Sequence, residues 1–482
     1  MTLAQFSARC ASLVLAVLSG ACTIAPLSTV VRSDPAQHSC VQWLARLDDT
    51  VAHAGVADVQ EARMAGHPHL RSNRFTAALA QDPGVDEPSF VAEVVPAMRQ
   101  LDRAARSAEI SNLPAQDLVT LEMTRDQVRR RSEDCAAVLL EGDPPVRSSV
   151  VVADAYSASQ RLLGGYALAR HPFTAGVQHH LDSVREAFVR PLVTPPGAHI
   201  VRYVPAPTQD GSVDPDALLL DRHQPVFEKE VGGEEDAAGA LVWDAAQGRP
   251  QVDRAQPAVY RQVSQTRYRG RTLKQLVYTL WFGARPADGP LDLLAGHLDG
   301  IIWRVTLDHR GQVLIHDTAH PCGCYHYFFP TALARAMAAP TDEPEWAFVP
   351  QTLGTVQPGS RVVLRIATRT SYLERVTLPD AASAVQAGVP LQSLPQDALR
   401  ALPVRGGVGA TQPTPAPTRS AYGPDALVPG TQRAERWFFW PMGIASAGQM
   451  RQWGHHATAF VGRRHFDDAN LFDQRFEFVL GD

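Results

Sequence analysis

The chain has 482 residues, 45% of them hydrophobic and 20% charged, which is enough apolar material to bury a core without relying on disulfides or metals. A formal charge of −5 excludes the basic footprint of a nucleic-acid binder, and the run Arg129-Arg130-Arg131 reads as a solvated helix face. There is no phosphate loop, no Gly-x-Ser-x-Gly elbow, no His-Glu-x-x-His and no dinucleotide fingerprint.

The first element is an export signal. Met1 to Arg9 holds one positive charge and no acid, Ala11 to Leu18 is apolar, and Ser19-Gly20-Ala21 follows with small side chains, the pattern of a cleavable signal over residues 1–21. Cys22 comes directly after. In these 22 residues the chain resembles the lipobox of bacterial lipoproteins, with Ser19 where leucine is usual. The resemblance implies cleavage before Cys22, lipidation of its thiol and a membrane attachment made stable by several acyl chains. Thr23 in place of an aspartate implies the outer membrane, facing the periplasm. The competing reading is an uncleaved anchor helix. Cys10 to Val31 carries no charge and, at roughly 20 residues, is long enough to span a bilayer, but Pro26 and the small residues oppose it.

After a short tether, 22–38, the periodicity predicts an α-helical domain over 39–192. Ser39 stands before Val41, Leu44, Leu47 and Val51 at helical spacing, Phe90 to Ile110 repeats the pattern, and Pro114 opens a helix running to Cys135. Tyr156 to Ala169 and Val177 to Phe188 complete the set. In an oxidising compartment Cys40 pairs best with Cys135, leaving Cys322 and Cys324 together. His67-Pro-His69 and His179-His180 are expected to face solvent.

Beyond Pro195-Pro196 the residues 197–402 are β-rich. His199 to Val204, Leu276 to Phe282 and Val362 to Thr368 are strands, and Ile301 to Leu307 with Gln312 to Ile315 flank the turn Asp308-His-Arg-Gly311 as a hairpin. Trp281 and Trp303 read as core, and Glu228 to Asp236 as a solvated acidic loop. Proline-rich 403–435 reads as a flexible linker, and 436–482, with Trp437-Phe-Phe-Trp440, as the segment that returns to complete this domain. The fold class is therefore α+β, a helical N-terminal domain followed by a larger, mainly antiparallel β-rich domain.

The densest chemistry lies at His316, His320, Cys322, Cys324 and His326. All five are even-numbered, so an extended strand would set them in one row. At about 3.3 Å per residue the ends of that row are roughly 33 Å apart, whereas zinc bonds span about 2 Å. A turn at Pro321-Cys-Gly323 would gather three ligands, and His455, His456 and His465 in the tail would have to supply the rest. His297 and Asp299 could add a ligand or an acid–base pair. Three readings stay open for the segment. One is a mixed imidazole–thiolate site for zinc or copper, one a Cys322–Cys324 disulfide or redox pair, and one plain packing. The expectation ranked first is a binding or structural envelope protein, with a metal-dependent hydrolase or thiol oxidoreductase as the alternative. No substrate or partner beyond the membrane follows from the sequence.

Overall fold

The computed structural model describes residues 34–480 except 195, 208–213, 342, 358, 380–386 and 407–416. The expected signal peptide and Cys22 therefore lie outside the described residues. A helical first part precedes a strand-rich remainder. Among the described residues no helix is long and apolar enough to cross a membrane.

Helix α1 (Pro35–His53) starts earlier than its apolar spacing suggests. Asp34 caps it by accepting from Ala36 N at 2.7 Å, with Pro35 at the first position, and Val41, Leu44, Leu47 and Val51 are buried as expected. A hairpin absent from the sequence reading follows, β1 (Ala62–Met64) with β2 (His67–Ser72). It buries His69, which was expected in solvent. Helix α2 (Arg74–Gln81) precedes α3 (Val95–Asn112), which continues a π-helical turn over Phe90–Val94. The single helix expected from Pro114 is two. Helix α4 (Ala115–Thr120) ends at a turn with Glu122 at φ +54°, and Thr124 with Gln127 forms a capping box for α5 (Arg125–Leu140). Cys40 and Cys135 are disulfide-bonded and join α1 to α5. Helices α6 (Ala158–Leu163) and α7 (Tyr166–Val189) close this part, α7 running unbroken through Pro172.

Helix α8 (Pro215–His223) sits among sixteen further strands: β3 (His199–Pro205), β4 (Val226–Val231), β5 (Ala240–Asp244), β6 (Arg249–Asp253), β7 (Ala258–Tyr268), β8 (Arg271–Arg285), β9 (Gly296–Leu307), β10 (Val313–Ala319), β11 (Tyr327–Pro330), β12 (Ala334–Ala336), β13 (Val363–Ile366), β14 (Leu373–Thr377), β15 (Val389–Pro395), β16 (Leu402–Arg405), β17 (Thr418–Arg419) and β18 (Phe476–Phe478). Ten form one sheet in the order β11-β10-β9-β8-β7-β15-β3-β4-β13-β14. Its pairings are antiparallel except for β15 with β7 and β3, and β13 with β4. The expected hairpin is β9–β10, and Asp308 fixes its turn by accepting from Arg310 N and Gln312 N. Trp281 and Trp303 are core.

Both faces of this sheet are covered. Trp303, Val305 and Phe329 pack in a core that includes Phe188 of α7, while Val277 and Ile302 on the other face meet Phe466 of the tail. The tail's last strand, β18, pairs with β12 rather than with the large sheet. Two expectations need correction. The acidic loop is not wholly solvated, because Asp236 is buried on Lys229 at 2.6 Å. The described part of the proline-rich connection is packed, because Ala421, Tyr422 and Val428 enter a second core with Trp281 and Met450. The helical part and the rest are joined by buried polar bonds. Arg400 donates to Asp58 at 2.9 Å and to Glu61 at 3.0 Å, and Asn112 donates to the Arg400 carbonyl at 2.8 Å.

Candidate functional site

Residues 320–326 connect β10 to the edge strand β11. Gly323 N donates to His320 O at 2.8 Å and His320 N to Cys324 O at 2.9 Å, so the expected turn at Pro321-Cys-Gly323 forms. Gly323 has φ +93°, and a Cβ there would lie 2.4 Å from the Ala457 carbonyl oxygen, so glycine is required twice over. Arg451 N donates to the Pro321 carbonyl at 3.0 Å. The turn is thus bonded to the tail at the Pro321 carbonyl.

The single row of even-numbered side chains does not form, because the strand ends at Ala319. His316 points into the core, stacked on Trp303 with centroids 5.1 Å apart, and burial pushes it down to about 3. His320 Nδ1 lies 3.2 Å from Asp299, so the Asp299 noted beforehand does orient a histidine. His297 instead bonds the Pro250 carbonyl at 2.7 Å. Cys322 is buried in the second core, and Cys322 and Cys324 are free thiols. His326 Nε2 lies 2.9 Å from Asp317, which also receives Arg304. Burial holds His326 at about 3 despite that carboxylate, so the neutral ring donates. In the tail His455 bonds the Val59 carbonyl at 2.8 Å, His456 is buried and pushed to about 3, and His465 accepts from Ala155 N at 3.2 Å. Among the described residues no three His, Cys, Asp or Glu side chains converge to hold a metal. His316, His320, Cys322, Cys324, His326, His455, His456 and His465, the expected composite site, therefore do not converge on one ion among the described residues.

What the turn does build is one wall of a cavity of about 510 Å³, within the range of small-molecule sites. Cys324, Tyr325, His326 and Tyr327 form that wall. Helix α7 forms the second with Phe173, Gly176, Val177, His180 and Leu181, one helical face by spacing. The tail forms the third with Phe438, Phe439 and Phe460. Phe348, Tyr372, Glu345, Glu435 and Arg464 fill the remaining positions. Phe173 of α7 packs across on Phe438 and Phe439 at 5.1 and 5.4 Å, and within the tail wall Phe439 stacks 4.1 Å from Phe460.

The polar groups are few and mutually engaged. Tyr325 and Tyr372 share a hydroxyl–hydroxyl bond of 2.9 Å, Arg285 donates to Tyr372 at 3.1 Å, and His180 bonds the Tyr327 hydroxyl at 3.1 Å. Burial lowers His180 and raises Tyr325 and Tyr327, so all three are neutral near pH 7. The Cys324 thiol is pushed well up by its bond to Cys322 and then by burial, the reverse of an activated nucleophile. Arg464 is spent on the Glu345 and Trp346 carbonyls and on Thr458. Glu345 is raised by burial while accepting from Phe460 N and Val461 N at 2.8 Å each. Glu435 is raised to about 7 by burial, against the pull of Arg433 and Arg285. The cavity is therefore an apolar, aromatic chamber with hydroxyls and protonatable carboxyls at its margin.

His180, expected in solvent, was legible only through its place beside the Phe173-Val177-Leu181 stripe. Glu345, Tyr372 and Glu435 stand in no local motif, and long-range packing alone assembles them. No family model matches this chain, and no curated protein or solved structure matches it either.

Proposed function

We propose that the protein is a lipid-anchored bacterial envelope protein whose body binds an apolar small molecule between α7 and the tail. The observation that carries the binding reading is the aromatic cavity itself, with few polar groups at its margin. Glycine at position 176 lines it, and a Cβ there meets no atom within 4 Å. Gly176→Phe should therefore occupy the chamber without disturbing the core, and a helical glycine is no loss. Titration with the neutral fluorophore N-phenyl-1-naphthylamine should show one saturable site, weakened about tenfold or more in Gly176→Phe, a change of roughly 1.4 kcal/mol. An unsaturable or absent signal in the wild-type protein would refute the reading.

The anchor rests on Ser19-Gly20-Ala21-Cys22. Mass spectrometry of protein from bacterial membranes should find Cys22 as an acylated first residue, and Cys22→Ser should release the body from membranes. The division into domains 39–192 and 197–402, the latter completed by 436–482, belongs to the same proposal.

A further inference from the structure

Glu435 sits on the short helix Glu435–Phe438 beside the aromatic tail wall, and only 6% of its surface is exposed. Among the described residues no hydrogen bond or ion pair engages its carboxyl, although it lines the cavity. The two arginines nearest in charge are committed elsewhere. Arg433 donates to the carbonyls of Leu294, Leu298 and Gly448, and Arg285 to the Tyr372 hydroxyl. A buried carboxyl without a partner is costly once ionised. Aromatic rings line the same cavity, and a ring face carries the negative side of a quadrupole. Phe173, Phe438, Phe439 and Phe460 are mutually packed, and Tyr325 and Tyr372 lie 4.7 Å apart, ring to ring. Aromatic rings with carboxyl groups at the margin make a receptor for an organic cation, and Arg464, the cation in the lining, is taken up by the Glu345, Trp346 and Thr458 carbonyls. A hydrophobic acid would instead bring a third carboxyl beside Glu435 and Glu345.

Resting on the reading of the cavity as a binding site, we propose that its ligand is an organic cation, an amine or quaternary ammonium with an apolar body, for which Glu435 is the counter-charge. A cation at this place draws Glu435 into its ionised form, and a proton is released to solvent on binding. The charged groups that face Glu435 are Arg433, Arg285, Asp299 and Asp292. Asp299 and Asp292 are held below their ordinary value, with burial opposing and His320 or backbone amides prevailing. Affinity for the cation therefore rises with pH across the range where Glu435 ionises.

Three probes with the same eight-carbon chain separate the possibilities by calorimetry on the whole chain: trimethyloctylammonium, 1-octanol and octanoate. The cation should bind about tenfold tighter than octanol, a gap of the size expected for desolvated cation–aromatic contact, and octanoate should bind weakest. In Glu435→Gln the gap between cation and octanol should shrink to about twofold while octanol binding is unchanged. Octanol binding without preference for the cation, preference for octanoate, or a cation preference that survives Glu435→Gln would each overturn this inference and leave the cavity reading standing. Failure of all three probes to bind would overturn both.

Discussion

Asp317 is fully buried between Arg304, 2.5 Å away, and His326, 2.9 Å away. Burial alone would raise its pKa, but Arg304 and then His326 prevail and hold it below the ordinary value. Its folded value lies below its unfolded one, so its stabilisation is present above the unfolded value and is lost as acid carries the pH down through the folded one. Asp317→Asn leaves Arg304 without its counter-charge and should cost about 3–5 kcal/mol in urea unfolding. His316 makes the opposite case. Neither ring nitrogen finds a protein partner, so His316→Phe should leave the melting temperature unchanged or higher. A clear drop would mean that those nitrogens are satisfied by something bound. Glu435 differs from Asp317 in sign. Its folded value of about 7 exceeds the ordinary value of 4.5, so it stabilises the fold less and less as pH rises between those two values. Glu435→Gln should therefore melt less differently from wild type at the acid end of that window than at the neutral end, where the variant gains.

At the scale of elements, apolar spacing located α1, α3, α5 and α7, and β-branched runs located β3, β8, β9, β10 and β13, because most of those segments bury a face of their own, although α7 buries only Phe188 outright and β3 only Tyr203. What spacing could not locate was decided by distant partners. The β1–β2 hairpin carries Arg71, held by Asp102 and Glu109 on α3, and a run such as His-Pro-His-Leu-Arg-Ser reads as polar until those partners are known. The histidine–cysteine segment was legible as a place but not as a chemistry. Even numbering predicts a shared face only while the strand lasts, and Gly323 ends that geometry at a turn pressed by Ala457. Gly323→Ala should accordingly be more damaging than most surface changes, through both the positive φ and the contact. Calorimetric melting compared with Gly176→Ala, where the added atom meets open space, measures the contrast. The site was half legible for the same reason. Cys324 and His326 drew notice by composition, whereas Glu435 and Tyr372 reach the cavity from distant stretches of chain.

Across the whole molecule, buried charges join the parts. Arg400 reaches Asp58 and Glu61 from far along the chain, and Gln452 of the tail donates to the same Asp58 at 3.2 Å. Unfolding the helical part strands these groups, so it and the β-rich part should melt in one transition, monitored by calorimetry. The disulfide between Cys40 and Cys135 encloses 95 residues of sequence separation, and in the chain-entropy account closing a loop of that order contributes about 4–5 kcal/mol. The chamber itself is held by contacts nearer to it, with Phe173 of α7 packed on Phe438 and Phe439 of the tail and His180 bonded to the Tyr327 hydroxyl beside the turn. The most direct test of that arrangement as a ligand site is crystallographic. Crystals soaked in a bromine-labelled apolar probe should show one anomalous peak among Phe173, Phe439 and Tyr325. A bromine peak only elsewhere on the protein, or none at all while the cavity is accessible, would contradict the account.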